Sequence, residues 1–223
     1  MTDLKKNIEE ISANIPENVT LVAVSKFHPV EVLQQAYDLG LRIFGESRAQ
    51  EIRGKHEALP KDIEWHFIGH LQTNKVRMLV PYVTLFHSVD SENLLKVIND
   101  ESARINKVSR VLLQLHVAEE ETKFGFDAGD CMKLAESGAL EKYPNVKICG
   151  VMGMATNTDD EAEVRKEFKT VKSIFDLLKE KIFKNDDSFS IISMGMSGDY
   201  KIAIEEGSNM VRIGTSIFGK REY

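Results

Sequence analysis

Eight short apolar runs, rich in β-branched and aromatic residues, alternate with segments whose apolar residues recur at helical spacing, and this alternation fills the 223-residue chain. The runs are residues 19 to 25, 42 to 45, 65 to 69, 84 to 87, 110 to 117, 146 to 152, 189 to 193 and 210 to 213. Between them the spacing predicts helices. Val32, Leu33, Ala36 and Leu39 form a face that stops at Gly40, further helices span about 47 to 59 and 74 to 80, and Asp90 or Ser91 caps one carrying Leu94, Leu95, Val97 and Ile98. Others cover about 128 to 140, 160 to 181 and 199 to 207, and an extra amino-terminal helix lies at about 3 to 13. Near-continuous apolar strands such as Val19 to Val24 are the mark of parallel strands covered on both faces. The count and length predict an α/β fold, a (β/α)8 TIM barrel. Its rival, an open doubly wound sheet, would call for G-x-G-x-x-G after the first strand, which is absent.

Composition narrows the function classes. A mass of 25.2 kDa suits one core, so residues 1 to 223 are expected to form a single domain. A net charge of -6 and a pI near 5.6 give no basic stripe for nucleic acid. The charged amino terminus lacks the apolar core of a signal peptide, and no run approaches membrane-spanning length. Cys131 and Cys149 are far apart and read as reduced packing residues, so a cytoplasmic protein without membrane partners is expected. The six histidines form no metal-ligand pattern; His66 and His70 lie across a strand end, while His28, His56, His87 and His116 are scattered and read as ordinary polar contacts.

In a parallel barrel the carboxyl ends of the strands converge on one mouth, where ligands bind. Here those ends read Ser25-Lys26, Gly45-Glu46-Ser47, Gly69-His70, Ser88-Val89-Asp90, His116, Met152-Gly153-Met154, Met194-Gly195-Met196-Ser197 and Gly214-Thr215-Ser216. Lys26 ends the first strand just before Pro29, which suits a helix start. A strand-end lysine can snorkel at a rim, or, with its stem packed among apolar neighbours, serve as an amine nucleophile toward a carbonyl. Ser197 and Gly214-Thr215-Ser216 together can offer N–H groups and hydroxyls to an anion, and methionines such as Met196 can pack on a flat ring. Arg212, inside an apolar run, needs either a ligand or an ion pair, with Asp90 or Glu46 as the available carboxylates.

The segments Val22-Ala23-Val24-Ser25-Lys26, Phe44-Gly45-Glu46, His66 to Lys75, Gly195-Met196-Ser197-Gly198-Asp199 and Val211 to Gly219 resemble the pyridoxal phosphate homeostasis family, also called the proline synthase co-transcribed or YggS-like proteins. The resemblance covers essentially the whole chain. It implies a barrel like the amino-terminal domain of alanine racemase, with pyridoxal 5'-phosphate held as a Schiff base on Lys26. By the same similarity Ser197, Gly214 and Thr215 hold the phosphate and Arg212 faces the pyridine nitrogen, while Met196 joins the cofactor-binding set. Where the family often has asparagine this chain has Ser47, which puts that contact in doubt.

An arginine beside the ring nitrogen leaves that nitrogen unprotonated, a poorer electron sink for carbanion chemistry. The sequence also stops at Tyr223, leaving no room for the second domain that closes the site in the larger relatives. The expected function is therefore to bind pyridoxal phosphate and supply it to apo-enzymes as a monomer or weak dimer, without strong catalysis. The alternatives are a weak racemase using Tyr200, His70 or Lys75 as acid or base, and an aldolase-like barrel in which Lys26 attacks a phosphorylated sugar.

Overall fold

The computed structural model describes residues 3–118 and 124–219. Eight parallel strands close a barrel in sequence order, and β8 pairs back onto β1 with Thr20 opposite Met210 and Ala23 opposite Ile213. The strands are β1 Thr20–Val24, β2 Ile43–Glu46, β3 Glu64–Phe67, β4 Val83–Val89, β5 Ser109–Leu115, β6 Val146–Gly153, β7 Ile191–Ser193 and β8 Met210–Ile213. The helices are α1 Leu4–Ala13, α2 Val30–Asp38, α3 Ala49–Ala58, α4 Thr73–Leu79, α5 Glu92–Ala103, α6 Ala128–Glu136, α7 Glu161–Lys181, α8 Tyr200–Glu205 and α9 Thr215–Phe218. No described helix is long and apolar enough to cross a membrane.

The helix starts follow from side-chain caps. Asp3, Ser91, Asp127 and Asp160 each accept a hydrogen bond from a first-turn N–H of α1, α5, α6 and α7. One expected helix is shorter than its pattern. Gly138 adopts a φ of 72°, so α6 ends at Glu136 and only a 3-10 turn, Ala139–Lys142, follows. The seventh strand also begins later than its apolar run, and Phe189 is buried just ahead of it. Tight packing of β6 on β7 depends on Gly150, where a Cβ would lie 1.9 Å from the Ile191 carbonyl oxygen.

Two apolar layers result. The larger one fills the space between strands and helices with residues such as Phe67, Phe86, Phe168 and Phe189. Val22, Leu85, Leu112, Cys149, Met152 and Met210 form a separate cluster drawn from five strands, which can meet only inside the barrel. Both cysteines are free and buried, as packing residues should be. The extra helix α1 bears on the functional end: it buries Ile8 and Ile11, and its Asn7 donates to the Ile217 carbonyl of α9 at 2.9 Å.

Candidate functional site

A cavity of about 240 Å³ opens at the carboxyl ends of β1, β6, β7 and β8. Lys26, Met196, Ser197, Arg212, Gly214 and Thr215 line it, together with Val24, Ile68, Met154 and Gly198. Six of the seven residues singled out from the sequence thus share one hollow. Ser47 does not: it lines a neighbouring cleft with His70, Gln72 and Lys75.

Lys26 owes its placement to the chain on either side. Phe27 has a φ of 69°, a left-handed conformation that costs a non-glycine residue about 1 kcal/mol or more. The cost is met by fastening. The Ser25 carbonyl accepts from His28 N at 3.1 Å and from Lys55 Nζ at 3.0 Å, while the Phe27 N–H donates to Glu51 Oε2 at 3.1 Å. Arg48 covers the Phe27 ring at 4.3 Å. The sharp turn is therefore clamped on both sides of the lysine.

Behind the turn lies a buried charge cluster. Glu46, fully buried, accepts from Ser25 Oγ at 2.6 Å and from Lys55 Nζ at 2.7 Å through the same oxygen, and Lys55 also reaches Glu51 at 3.0 Å. Burial pushes the Glu46 carboxyl up to about 7 against the pull of Lys55, and its Oε2 has no hydrogen-bond partner. For Glu51, burial works upward, but the bonds from Lys55 and the Phe27 N–H hold it below the usual carboxylate range.

The opposite wall is made for acceptors. The N–H groups of Gly214 and Ser216 converge on Ser197 Oγ at 3.3 and 3.5 Å, long contacts that a better acceptor could improve on. The turn carrying Ser197 is fixed by Gly195, whose φ of 96° and packing on α8 leave no room for a side chain: a Cβ would meet Ala203 Cβ at 2.6 Å. Asp199 completes the turn by accepting from Met196 N at 2.5 Å.

Arg212 is 4% exposed and makes no ion pair with Asp90 or Glu46, the partners offered by the sequence. Asp90 instead meets His70 at 3.3 Å and Glu46 meets Lys55. Arg212 Nη1 donates to the Ser193 carbonyl at 2.8 Å and to Ser193 Oγ at 2.7 Å, and Nη2 donates to the Gly153 carbonyl at 3.1 Å. These bonds use three of the five guanidinium N–H donors, and the residue lines the cavity. Burial pulls the guanidinium down to about 10, with Asp199 opposing, so it stays charged at neutral pH.

Of the acid or base candidates, Tyr200 is buried in α8, and His70 pairs with Asp90 and stacks on Phe124 at 3.6 Å. Lys75 belongs to the neighbouring cleft; none of the three lines the 240 Å³ cavity. His87 is not an isolated polar contact either. Its ring meets His66 and Ser193 inside the barrel at 3.0 Å each, an arrangement signalled only by histidines embedded in the apolar runs Trp65-His66-Phe67 and Leu85-Phe86-His87. Lys55 was missed because it sits among the charges of an amphipathic helix.

The donor set fits pyridoxal 5'-phosphate. An amine stands in the lining with convergent amides, a hydroxyl and a guanidinium, and Val24, Ile68, Met154 and Met196 supply apolar surface for a flat ring.

Comparison with known proteins agrees. The model of the alanine racemase N-terminal domain family matches residues 1–222. The pyridoxal phosphate homeostasis protein of Aquifex aeolicus is 42% identical over 204 residues, covering 91% of this chain and 87% of that protein. Its namesake in Vibrio alginolyticus is 36% identical over the full length of both. PipY of Synechococcus elongatus, in a structure with PLP bound, superposes with a TM-score of 0.87 at 31% identity, covering 97% of this chain and 100% of that one. An alanine racemase of Clostridium difficile shares the fold, with a TM-score of 0.78 at 16% identity; this chain covers 58% of it.

Proposed function

The chain belongs to the pyridoxal phosphate homeostasis proteins, built on the alanine racemase N-terminal domain, and from that premise we propose that it binds pyridoxal 5'-phosphate in the carboxyl-end cavity and passes it on to apo-enzymes. The observation that carries the proposal is the convergence of Lys26, Arg212, Ser197 and Gly214 on one 240 Å³ hollow. When bound, the cofactor would supply an aldehyde open to attack by amines and a ring able to draw electrons from a bonded substrate.

The residues of the chain limit that chemistry. Lys26, held by the clamped turn, would supply the amine that binds the aldehyde. Ser197 Oγ and the Gly214 and Ser216 amides would hold the phosphate. Arg212 would face the ring nitrogen as a donor, and because the guanidinium keeps its proton the nitrogen would gain none. Withdrawal of electrons into the ring is weak in that state. No acid or base side chain among the described residues joins Lys26 in the lining, since Tyr200, His70 and Lys75 all lie elsewhere. Reversible holding is what such a site does well.

The test is to load the protein, remove free cofactor, and mix it with the apo form of a pyridoxal phosphate-dependent enzyme, alongside a panel of L- and D-amino acids. Reactivation of the apo-enzyme with no amino acid turned over is expected. Racemisation or elimination abolished by Lys26→Ala would establish an enzyme instead.

A further inference from the structure

A second hollow lies at the opposite end of the barrel. A cavity of about 400 Å³ opens at the amino-terminal mouth, lined by residues near the starts of β1, β2, β3, β5, β7 and β8 and by Leu85 of β4. Its polar lining includes Thr20, Glu64, His66, Arg110 and Asn18. Arg110 has no carboxylate within ion-pair distance among the described residues; its one hydrogen bond is from Nε to Cys149 Sγ at 3.5 Å. His66 is 2% exposed and lines this same cavity.

The protonation of His66 can be worked out from the far end. Arg212 has only donors, so Ser193 Oγ must accept from it at 2.7 Å. The Ser193 hydroxyl then has one acceptor within reach, His87 Nδ1 at 3.0 Å. With Nδ1 accepting, a neutral His87 carries its proton on Nε2 and donates to His66 Nδ1 at 3.0 Å. His66 in turn carries its proton on Nε2, the nitrogen no described residue bonds. Both rings are neutral at ordinary pH: burial, aided by Arg110, pulls His66 down to about 3, and burial with His66 and Arg212 holds His87 well below its ordinary value. Every donor in the chain points toward the amino-terminal mouth.

We propose that this mouth is a second ligand site, for a small oxyanion such as a carboxylate or phosphate, received by His66 Nε2–H and the Arg110 guanidinium. The Arg212–Ser193–His87–His66 chain sets the polarity of that site through the barrel core. Glu64 on the same rim favours a singly charged group over a dianion. The site stands on residues of the chain alone and does not depend on what occupies the other mouth.

The experiment uses the full chain labelled with 15N in its histidine rings, with no pyridoxal phosphate present. Long-range 15N–1H correlations read the tautomers, and titrations with sodium acetate and inorganic phosphate at constant ionic strength read the site. The expected result is both rings protonated at Nε2 and a saturable shift of the His66 signals with either anion. Arg110→Gln weakens that response about tenfold or more, the scale of a charged hydrogen bond. Ser193→Ala, which lines neither cavity, lets the rings exchange tautomers and weakens the response while near-ultraviolet circular dichroism reports an intact fold. An unprotonated His66 Nε2, a shift that never saturates, or a response indifferent to both substitutions overturns the proposal.

Discussion

Two buried charge sites lie within reach of the same lysine, and they are built to opposite rules. In the Glu46–Lys55–Glu51 cluster, outside the barrel and under α3, the ammonium finds two carboxylates and a carbonyl. At Arg212, inside the barrel, the guanidinium finds carbonyls and a hydroxyl, no carboxylate among the described residues, and a cavity that the residue lines. In the first site the chain supplies three partners for the ammonium, and the cluster positions the turn that carries Lys26. The second is left incomplete toward the ligand. A buried charge satisfied by the protein belongs to the scaffold, and one satisfied only in part marks where a partner is received.

The comparison can be broken at its strongest point first. Lys55→Met leaves Glu46 without its cation and Glu51 with only the cationic contact to Arg48 at 3.9 Å among the described residues, and it should cost about 3–5 kcal/mol in denaturant unfolding, as removal of one partner of a buried pair does. A cost near zero would mean that the cluster does not hold the turn.

Next comes pH. The Glu46 carboxyl is raised from 4.5 to about 7, so the folded state holds a proton there that the unfolded state has lost. The stabilisation from that proton is complete below 4.5 and is lost as pH rises through 7, about 3 kcal/mol in all. Unfolding curves of Glu46→Gln, which cannot ionise, should therefore gain on the natural protein by that order between about pH 4.5 and 7.5, roughly the titration window of the carboxyl. A constant difference across that range would remove the raised carboxyl from the account.

Arg212→Leu should be milder in the ligand-free protein, about 1–3 kcal/mol, because it strands carbonyls rather than a charge. Its larger effect belongs to the loaded state. Added pyridoxal phosphate should raise the melting temperature of the natural protein and raise that of the variant less. Equal increases would take Arg212 out of the ligand site.

The barrel was legible in the chain because eight apolar runs and their helical partners obey local rules: period, caps and turn glycines. The failures are local too. Gly138 cut α6 short inside an apparently continuous pattern. Most of the carboxyl-end pocket was legible because strand ends converge in any parallel barrel, which brings Lys26, Ser197 and Gly214 to one mouth. Arg212's partners were not, since backbone carbonyls of Ser193 and Gly153 leave no mark in a sequence. The pairing of His66 with His87 depends on which face of two strands turns inward and at what height, a matter of barrel register. Ser47 follows Glu46 at the end of β2, but the chain turns there toward the adjacent cleft.

The most direct test of the central claim is to incubate the protein with pyridoxal phosphate, reduce it with borohydride, and map the modified peptide by mass. The account predicts a visible absorption band that reduction bleaches and a single adduct on Lys26, absent in Lys26→Ala. Adducts scattered over surface lysines, with the band surviving in Lys26→Ala, would contradict it.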